Sequence, residues 1–171
     1  MFSNQQIDLN ILPSIDVIEF KSVSRQYLNI LILNRCAIFF LIIIGLFIAK
    51  QMVNTGLFQS LFWYLTSAVG LLAFITIAYT ILAFKTRKYA IREQDVIYTE
   101  GLLTNTIAAV PISRIQHIEI SRSWLARKFK LATLNIFTAG ESGIDLNIEG
   151  LNLNEAEKIN EFLSKKVNGT A

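Results

Sequence analysis

Few residues of this chain have the types and spacing that catalysis or metal binding requires. His117 is the sole histidine and Cys36 the sole cysteine, so the chain cannot assemble a cluster of zinc-binding Cys and His ligands. Ser113 has no general base beside it, because Arg114 cannot accept a proton and His117 lies four residues further on. No GxxxxGK[S/T] phosphate-binding loop occurs. The sequence therefore predicts no enzymatic activity, no cofactor and no metal site.

Three carboxylates, Glu141, Asp145 and Glu149, fall close together near one predicted β-hairpin. Paired carboxylates can act as general acid and base. Their polar surroundings are better explained by a solvated turn, so we predict no catalytic role for them.

A basic stretch near the middle of the C-terminal half could bind a ligand. Its four cations are Arg122, Arg127, Lys128 and Lys130. Close to an anionic bilayer, each such charge contributes on the order of 1 kcal/mol to binding. Two interpretations remain open: the cations contact lipid headgroups or a partner protein, or they form a solvated face.

Two aromatic residues, Trp124 and Phe129, alternate with these cations. The segment 122–130 connects two predicted strands and has the composition of a short helical turn. We expect this turn to pack Trp124, Leu125 and Phe129 beneath the sheet, as part of the hydrophobic core.

The basic stretch lies within a segment that has the period of a small β-domain. Alternating or apolar runs predict strands at residues 88–92, 95–101, 106–112, 115–121, 132–138 and 143–150. Pro111 restricts the third strand to an edge or to its own end. A C-terminal helix follows, with Asn152 and Glu155 in capping-box positions. One apolar stripe of this helix faces the sheet and comprises Ala156, Ile159, Phe162, Leu163 and Val167.

The preceding part of the chain is strongly apolar. Only 17% of all residues are charged, against about 25% in ordinary soluble domains. Residues 36–53 and 60–84 are each long enough to cross about 30 Å of hydrocarbon as a helix, and the short connection between them predicts an antiparallel hairpin. Between Cys36 and Phe84 the one charged residue is Lys50, near the end of the first span.

The flanking charges predict the orientation of this hairpin. Basic residues lie before the first span and after the second, while the loop region offers only Lys50, so both termini are expected in the cytoplasm. The chain then divides into an N-terminal cytoplasmic segment (residues 1–35), the hairpin (36–84) and a cytoplasmic domain (85–171). Within the first segment an amphipathic stretch at 22–35, with Ser24 as its N-cap, either lies on the membrane surface or extends the first span.

Three segments in this order behind two spans resemble the bacterial pleckstrin-homology-like membrane proteins of the YdbS type. They read TRKYAIREQDVIYTEGLL, VPISRIQHIEI and RKFKLATLNIFTAG. The most specific positions are Arg114 and Gln116 after the Val-Pro pair, and Gly140 at the end of a strand. The resemblance covers about residues 20–167 and implies a small PH-like β-barrel, or curved antiparallel sheet, with a C-terminal helix.

One position departs from the pattern of that family. The family commonly has Gly where this chain has Lys130, and a Gly there suits a backbone turn with positive φ. The resemblance implies no catalytic activity, and it implies a larger partner membrane protein that carries several similar domains.

We therefore expect a non-enzymatic, membrane-anchored module at the cytoplasmic face of a bacterial inner membrane, where it binds a second membrane protein. One alternative is direct binding of anionic lipid through residues 122–130. Another is a role as subunit of a transport or envelope-defence complex, and a homo-oligomer is also open. The net charge of +3 gives no reason to expect a nucleic-acid partner.

Overall fold

Two long helices form an antiparallel hairpin. The computed structural model describes residues 18–53, 55–138 and 144–169. Helix α1 spans Arg25–Met52 and helix α2 spans Gly56–Phe84, so each is about 42 Å long at about 1.5 Å per residue. Both are long and apolar enough to cross a membrane. Within them only Ile30 and Phe62 are buried, and the remaining large apolar side chains cover the outside of the hairpin, as lipid contact requires.

Helix α1 resolves the two alternatives for the amphipathic stretch. The helix is continuous from Arg25 onward, so this stretch extends the first span instead of forming a separate surface helix. Ser24 occupies the N-cap position, but its side chain makes no capping hydrogen bond. Helix α2 starts at Gly56, four residues earlier than predicted, and the Gln59 side chain donates to the Lys50 carbonyl oxygen (3.1 Å).

The first sheet is an antiparallel meander that directly follows the hairpin. Strand β2 (Lys88–Ile91) pairs with β3 (Asp95–Glu100), which pairs with β4 (Thr106–Pro111). A two-residue strand ahead of α1, β1 (Lys21–Ser22), pairs with β2 and completes the order β1-β2-β3-β4.

The second sheet has the order β5-β6-β7 and is also antiparallel. It comprises Ile115–Ser121 (β5), Leu131–Thr138 (β6) and Ile144–Asn152 (β7). A 3-10 turn at Ile112–Arg114 leads from β4 into β5, and a short helix, α3 (Trp124–Lys128), connects β5 to β6. Helix α4 (Leu153–Val167) follows β7 and packs against both β5 and β6.

One hydrophobic core joins both sheets to α4. Its fully buried large side chains are Val96, Leu131, Leu134, Ile136, Ile148, Leu151 and Leu163. The prediction of two apolar helices followed by a PH-like antiparallel domain with a C-terminal helix is confirmed. The barrel is not closed, because no hydrogen-bonded ladder connects the two sheets within the described ranges.

The residues before α1 belong to this core. Val23 is 3% exposed and packs in the same cluster as Tyr89 and Val96. The Ser24 N–H donates to the carbonyl oxygen of Gly150 on β7 (2.9 Å), so the chain enters α1 while attached to both sheets.

The capping box predicted for α4 does not form. Asn152 is the N-cap residue, but its side chain makes no capping hydrogen bond. Glu155 forms an ion pair with Lys21, close to the buried phenol of Tyr89, and so connects α4 to the strand that precedes α1.

Candidate functional site

Helix α3, which carries part of the basic stretch, lies beside the beginning of α1. Ser123 caps it by accepting a hydrogen bond from the Ala126 N–H (3.2 Å). A cleft of about 380 Å³ between α3 and α1 is lined by Ser123, Ala126, Ile30 and Asn34, among others. The basic helix is therefore next to the end of the hairpin at which α1 begins and α2 ends, here called the base of the helical hairpin.

The expectation that Trp124 belongs to the core is wrong. Its side chain is 69% exposed at the start of α3, whereas Leu125 and Phe129 are partly buried. A helix of five residues can turn only one narrow face toward the domain. Leu125 and the C-cap residue Phe129, four positions apart, lie on that face. Trp124 instead lies beside the exposed side chains of Arg127 and Lys128.

The four cations of the basic stretch do not act as one group. Arg127 and Lys128 are exposed at the end of α3. Arg122 has a structural role: its Nε donates to the Leu131 carbonyl oxygen (3.1 Å) and one of its Nη atoms to that of Arg127 (3.5 Å). These bonds fix the ends of the loop that carries α3, so Arg122 is less available to a ligand than its neighbours.

Lys130 adopts the positive-φ backbone turn that glycine would suit at this position. Its φ is +54°, and it is the one non-glycine residue with positive φ in the ranges that the structure describes. Its N–H donates to the carbonyl oxygen of Arg127 (3.2 Å), and its own carbonyl accepts from the Leu153 N–H (3.0 Å). The side chain lines a cleft of about 760 Å³ at the start of α4, together with Lys21 and Lys158.

The residues that carry the family resemblance lie near the junction of the two sheets. Arg114 is exposed on the 3-10 turn, and Gln116 is exposed where β5 bulges between Ile115 and His117. His117 is a cross-strand neighbour of Phe137, with 5.5 Å between ring centroids. Gly140 lies outside the described residues.

A polar cluster that the sequence did not predict joins the hairpin to the domain. Tyr27 of α1 donates from its hydroxyl to Glu149 of β7, and an Nη of Arg87 donates to the same carboxylate oxygen (3.2 Å). The Arg87 guanidinium also lies 5.7 Å from the centroid of the Tyr27 ring. Glu149 is thus not part of a solvated turn, because β7 extends past it to Asn152 and places it against α1.

This cluster continues into the first sheet. A second Nη of Arg87 approaches Glu100 of β3 (3.8 Å), which accepts a hydrogen bond from the Tyr98 hydroxyl (3.3 Å). Burial raises the pKa of the Tyr98 phenol above its ordinary value; Arg87 opposes this rise, and the carboxylates of Glu100 and Glu149 add to it. Arg87, in the linker after α2, therefore connects α1, β3 and β7.

Gly150 allows α1 to approach the second sheet closely. Its φ is +78°, and a Cβ at this position would lie 2.5 Å from Cγ of Tyr27. Both the backbone conformation and the space favour glycine here. The contact between the base of the helical hairpin and β7 depends on this residue.

Strand β4 is an outer strand of the first sheet and is partly exposed. The other outer strands are occupied: β1 has two residues and turns into α1, β5 contacts α4, and β7 contacts α1. In β4, by contrast, Thr106, Ile107 and Ala109 are exposed. Among the described strands β4 pairs only with β3, so its other edge has no strand partner and could pair with another chain.

The described residues contain no group of three or more His, Cys, Asp or Glu side chains that could hold a metal ion. The surfaces that remain as candidates are α3 and the edge of β4. Both are suited to contact with lipid or protein.

Comparisons with known proteins point to one family. The family model described as Bacterial PH domain matches residues 30–167. The UPF0699 transmembrane protein YdbS of Bacillus subtilis (strain 168) is 30% identical over 100 residues, which are 57% of this chain and 61% of that protein. The match therefore covers less than two thirds of the relative's length. No solved structure matches the chain.

Proposed function

Because this chain is a membrane protein of the Bacterial PH domain family, we propose that it is a non-enzymatic anchor that binds a second membrane protein through strand β4. The observation that carries this proposal is the exposed edge of β4. A partner strand placed there would gain main-chain hydrogen bonds and extend the first sheet. The partner we expect is a membrane protein that itself carries PH-like domains.

The proposal includes an orientation in the membrane. The helical hairpin crosses a bacterial cytoplasmic membrane twice, with its base and the PH-like domain in the cytoplasm. Lys85 and Lys88 follow α2 and are exposed at this base, as the positive-inside rule favours. At the opposite end Lys50 lies 4.3 Å from the Phe62 ring centroid and 4.9 Å from that of Trp63, which suits a membrane interface.

Labelling of single cysteines in intact cells tests this orientation. In a Cys36→Ser background, Thr55→Cys should react with a membrane-impermeant maleimide that enters from outside. Glu93→Cys, in the β2–β3 turn, should react only after the membrane is permeabilised. Reaction of Glu93→Cys in intact cells would contradict the proposed orientation.

Site-specific photo-cross-linking tests the role of β4. A photoreactive amino acid at Ala109 should form one adduct with a second PH-like membrane protein, and the same group at Glu157, on the exposed side of α4, should not. Ile107→Lys should abolish this adduct, since lysine on an edge strand opposes pairing. Equal adducts at both positions, or none at Ala109, would overturn the proposal. An adduct between two copies of the chain would replace it by a homo-oligomer.

A second candidate function is contact with anionic lipid through α3. The exposure of Trp124 beside Arg127 and Lys128 favours it, because aromatic and basic side chains concentrate at the headgroup level. In a Trp63→Phe background, Trp124 is the remaining tryptophan and reports this contact.

The full chain should be used for this measurement, because Val23 and β1 complete the core of the domain. In nanodiscs that contain phosphatidylglycerol, Trp124 emission should be quenched by brominated lipid. Arg127→Ser with Lys128→Ser should reduce this quenching, whereas Lys165→Ser with Lys166→Ser on α4 should not. Equal quenching in neutral phosphatidylcholine nanodiscs would exclude recognition of anionic lipid.

A further inference from the structure

The turn between β3 and β4 carries the most exposed large apolar side chain that the structure describes. Leu103 is 86% exposed, more than any apolar residue of the two long helices, and its neighbour Leu102 is 38% exposed. Gly101 shapes this turn with φ +102°, and a Cβ there would collide with the carbonyl oxygen of Thr104. The tight turn therefore projects Leu103, which the domain itself does not cover, next to the partly covered Leu102.

The register of the sheet places this turn at the base of the helical hairpin. Lys88, four residues after the end of α2, pairs with Thr99 near the end of β3. The Thr99 hydroxyl donates to the carbonyl oxygen of Thr86 (3.1 Å), within the linker that leaves α2. Leu102 lines a cleft of about 560 Å³ together with Lys85 and Thr86. Strand β3 therefore runs back toward the membrane, and its turn reaches the level at which α2 ends.

The opposite turn of the same sheet has a different chemistry. Between β2 and β3 the chain has Arg92, Glu93 and Gln94, all exposed, and Arg92 pairs with Asp95. This turn points away from the base of the helical hairpin, since β2 leaves α2 in that direction. One sheet thus has a charged turn at its far end and a dileucine turn at its near end. Solvation alone does not explain this asymmetry, because a water-exposed turn gains nothing from leucine.

We propose that Leu102 and Leu103 insert into the cytoplasmic leaflet and form a third membrane attachment beside α1 and α2. The exposed ammonium groups of Lys85 and Lys88 flank the insertion at headgroup level. Glu100, the nearest acidic residue of the turn, is paired with Arg87, so it opposes insertion less than a free carboxylate. The insertion rests on the proposed membrane orientation, but it is independent of the partner-binding role of β4.

Fluorescence of a polarity-sensitive probe on single cysteines tests the insertion. Full-length protein with Cys36→Ser is labelled at Leu103→Cys and placed in nanodiscs of phosphatidylethanolamine and phosphatidylglycerol. The emission should shift to the blue, and nitroxides near the top of the lipid acyl chains should quench it. Iodide in the water should quench this probe about threefold less than the same probe at Glu93→Cys, given an insertion depth of about 5–10 Å.

Two further positions make the outcomes separable. A probe at Phe74→Cys, in the middle of α2 and 72% exposed, should be quenched by nitroxides deep in the bilayer. If it is quenched and Leu103→Cys remains open to iodide, the insertion is wrong while the membrane-spanning hairpin stands. If Phe74→Cys is also open to iodide, the hairpin does not span the bilayer. A Leu103→Cys probe protected from iodide but not quenched by lipid nitroxides would indicate a protein contact and overturn the lipid assignment. Leu102→Ser should reduce the blue shift at Leu103→Cys.

Discussion

The contact between Gly150 and Tyr27 gives the sharpest prediction on how the hairpin is attached to the domain. Gly150→Ala introduces a Cβ that lies 2.5 Å from Tyr27 Cγ, where carbon atoms normally keep about 3.5–4.0 Å. Tyr27 Cβ would also lie only 2.7 Å away, so α1 itself must shift by about 1 Å, and overpacking of this kind costs about 1–3 kcal/mol. The backbone at φ +78° adds about 1 kcal/mol for a residue with a Cβ.

We therefore expect Gly150→Ala to lower the free energy of unfolding by about 2–3 kcal/mol, since the loss of glycine's freedom in the unfolded chain offsets a part. For a domain of 60–100 residues, this corresponds to a fall in Tm of at least about 8 °C. The assay is thermal unfolding in detergent, followed by near-ultraviolet circular dichroism. Gly70→Ala is the matched control, because no atom lies within 4 Å of a Cβ at Gly70.

A second variant separates the two causes. With Tyr27→Gly both the ring and the Tyr27 Cβ, which would lie 2.7 Å from the new Cβ, are absent, so the further cost of Gly150→Ala should fall to the backbone cost of about 1 kcal/mol. If Gly150→Ala and Gly70→Ala have the same effect, or if Tyr27→Gly leaves the cost of Gly150→Ala unchanged, the packing of α1 on β7 described above is incorrect.

Three further predictions use the same unfolding measurement. Lys130→Gly should raise stability by about 1 kcal/mol by relieving the positive φ, whereas Lys130→Ala, which removes the charge but keeps the Cβ, should not. Equal effects would show that the backbone is not the cause. Arg87→Met should destabilise the protein by about 1–2 kcal/mol because it leaves the carboxylates of Glu100 and Glu149 without a cation. Arg92→Met, which breaks an exposed ion pair, should destabilise it less. The reverse order would contradict the role of Arg87 in the polar cluster. Burial raises the folded pKa of Tyr98 above its unfolded value of 10.0, so the stability from the neutral phenol is fully present below pH 10 and is lost as the pH rises above it. Tyr98→Phe should therefore flatten the fall in stability at alkaline pH. An unchanged slope would refute the burial of the Tyr98 phenol as its cause.

The strands and helices of this chain could be predicted because each has a regular pattern along the sequence. Residues 115–121 alternate apolar and polar side chains, and β5 has these bounds in the structure. The apolar stripe of α4 follows only in part from its spacing: Ala156 and Leu163 are buried and Ile159 packs against the core, whereas Phe162 and Val167, also predicted to face the sheet, are 39% and 36% exposed. Periodicity depends only on neighbouring residues, so it can be read without knowledge of the fold.

Strand β1 could not be predicted in this way. A strand of two residues is too short to show a periodic pattern of apolar and polar side chains. Lys21 and Ser22 are part of the sheet only because the chain returns to β2 after both long helices. The same limit applies to Glu149 and Arg87, which are 62 residues apart in the sequence and meet through the fold. A residue whose role depends on a distant partner gives no local signal.

The burial of Trp124 was predicted wrongly for a physical reason that matters for function. Hydrophobic residues in a soluble domain are normally buried, but the segment that carries Trp124 lies beside the two long apolar helices. The same rule would assign Leu103 to the core, yet both side chains are exposed near the base of the helical hairpin. At this end of the domain, the lipid contacts proposed above would account for the exposed apolar residues.

The polar cluster around Arg87 connects the surfaces discussed above, α3, the dileucine turn and the edge of β4, to one another. If a flexible linker joined the domain to α2, β4 could face any direction. Membrane insertion of the β3–β4 turn would then be needed to orient the domain. Here Arg87 and Gly150 already fix the domain against α1, with Glu149 as the shared carboxylate. The edge of β4 begins directly after the dileucine turn, so a partner strand that pairs with Thr106 would begin close to the membrane surface. A partner that is itself a membrane protein meets this requirement at low entropic cost, because its own anchor already confines it to the same plane.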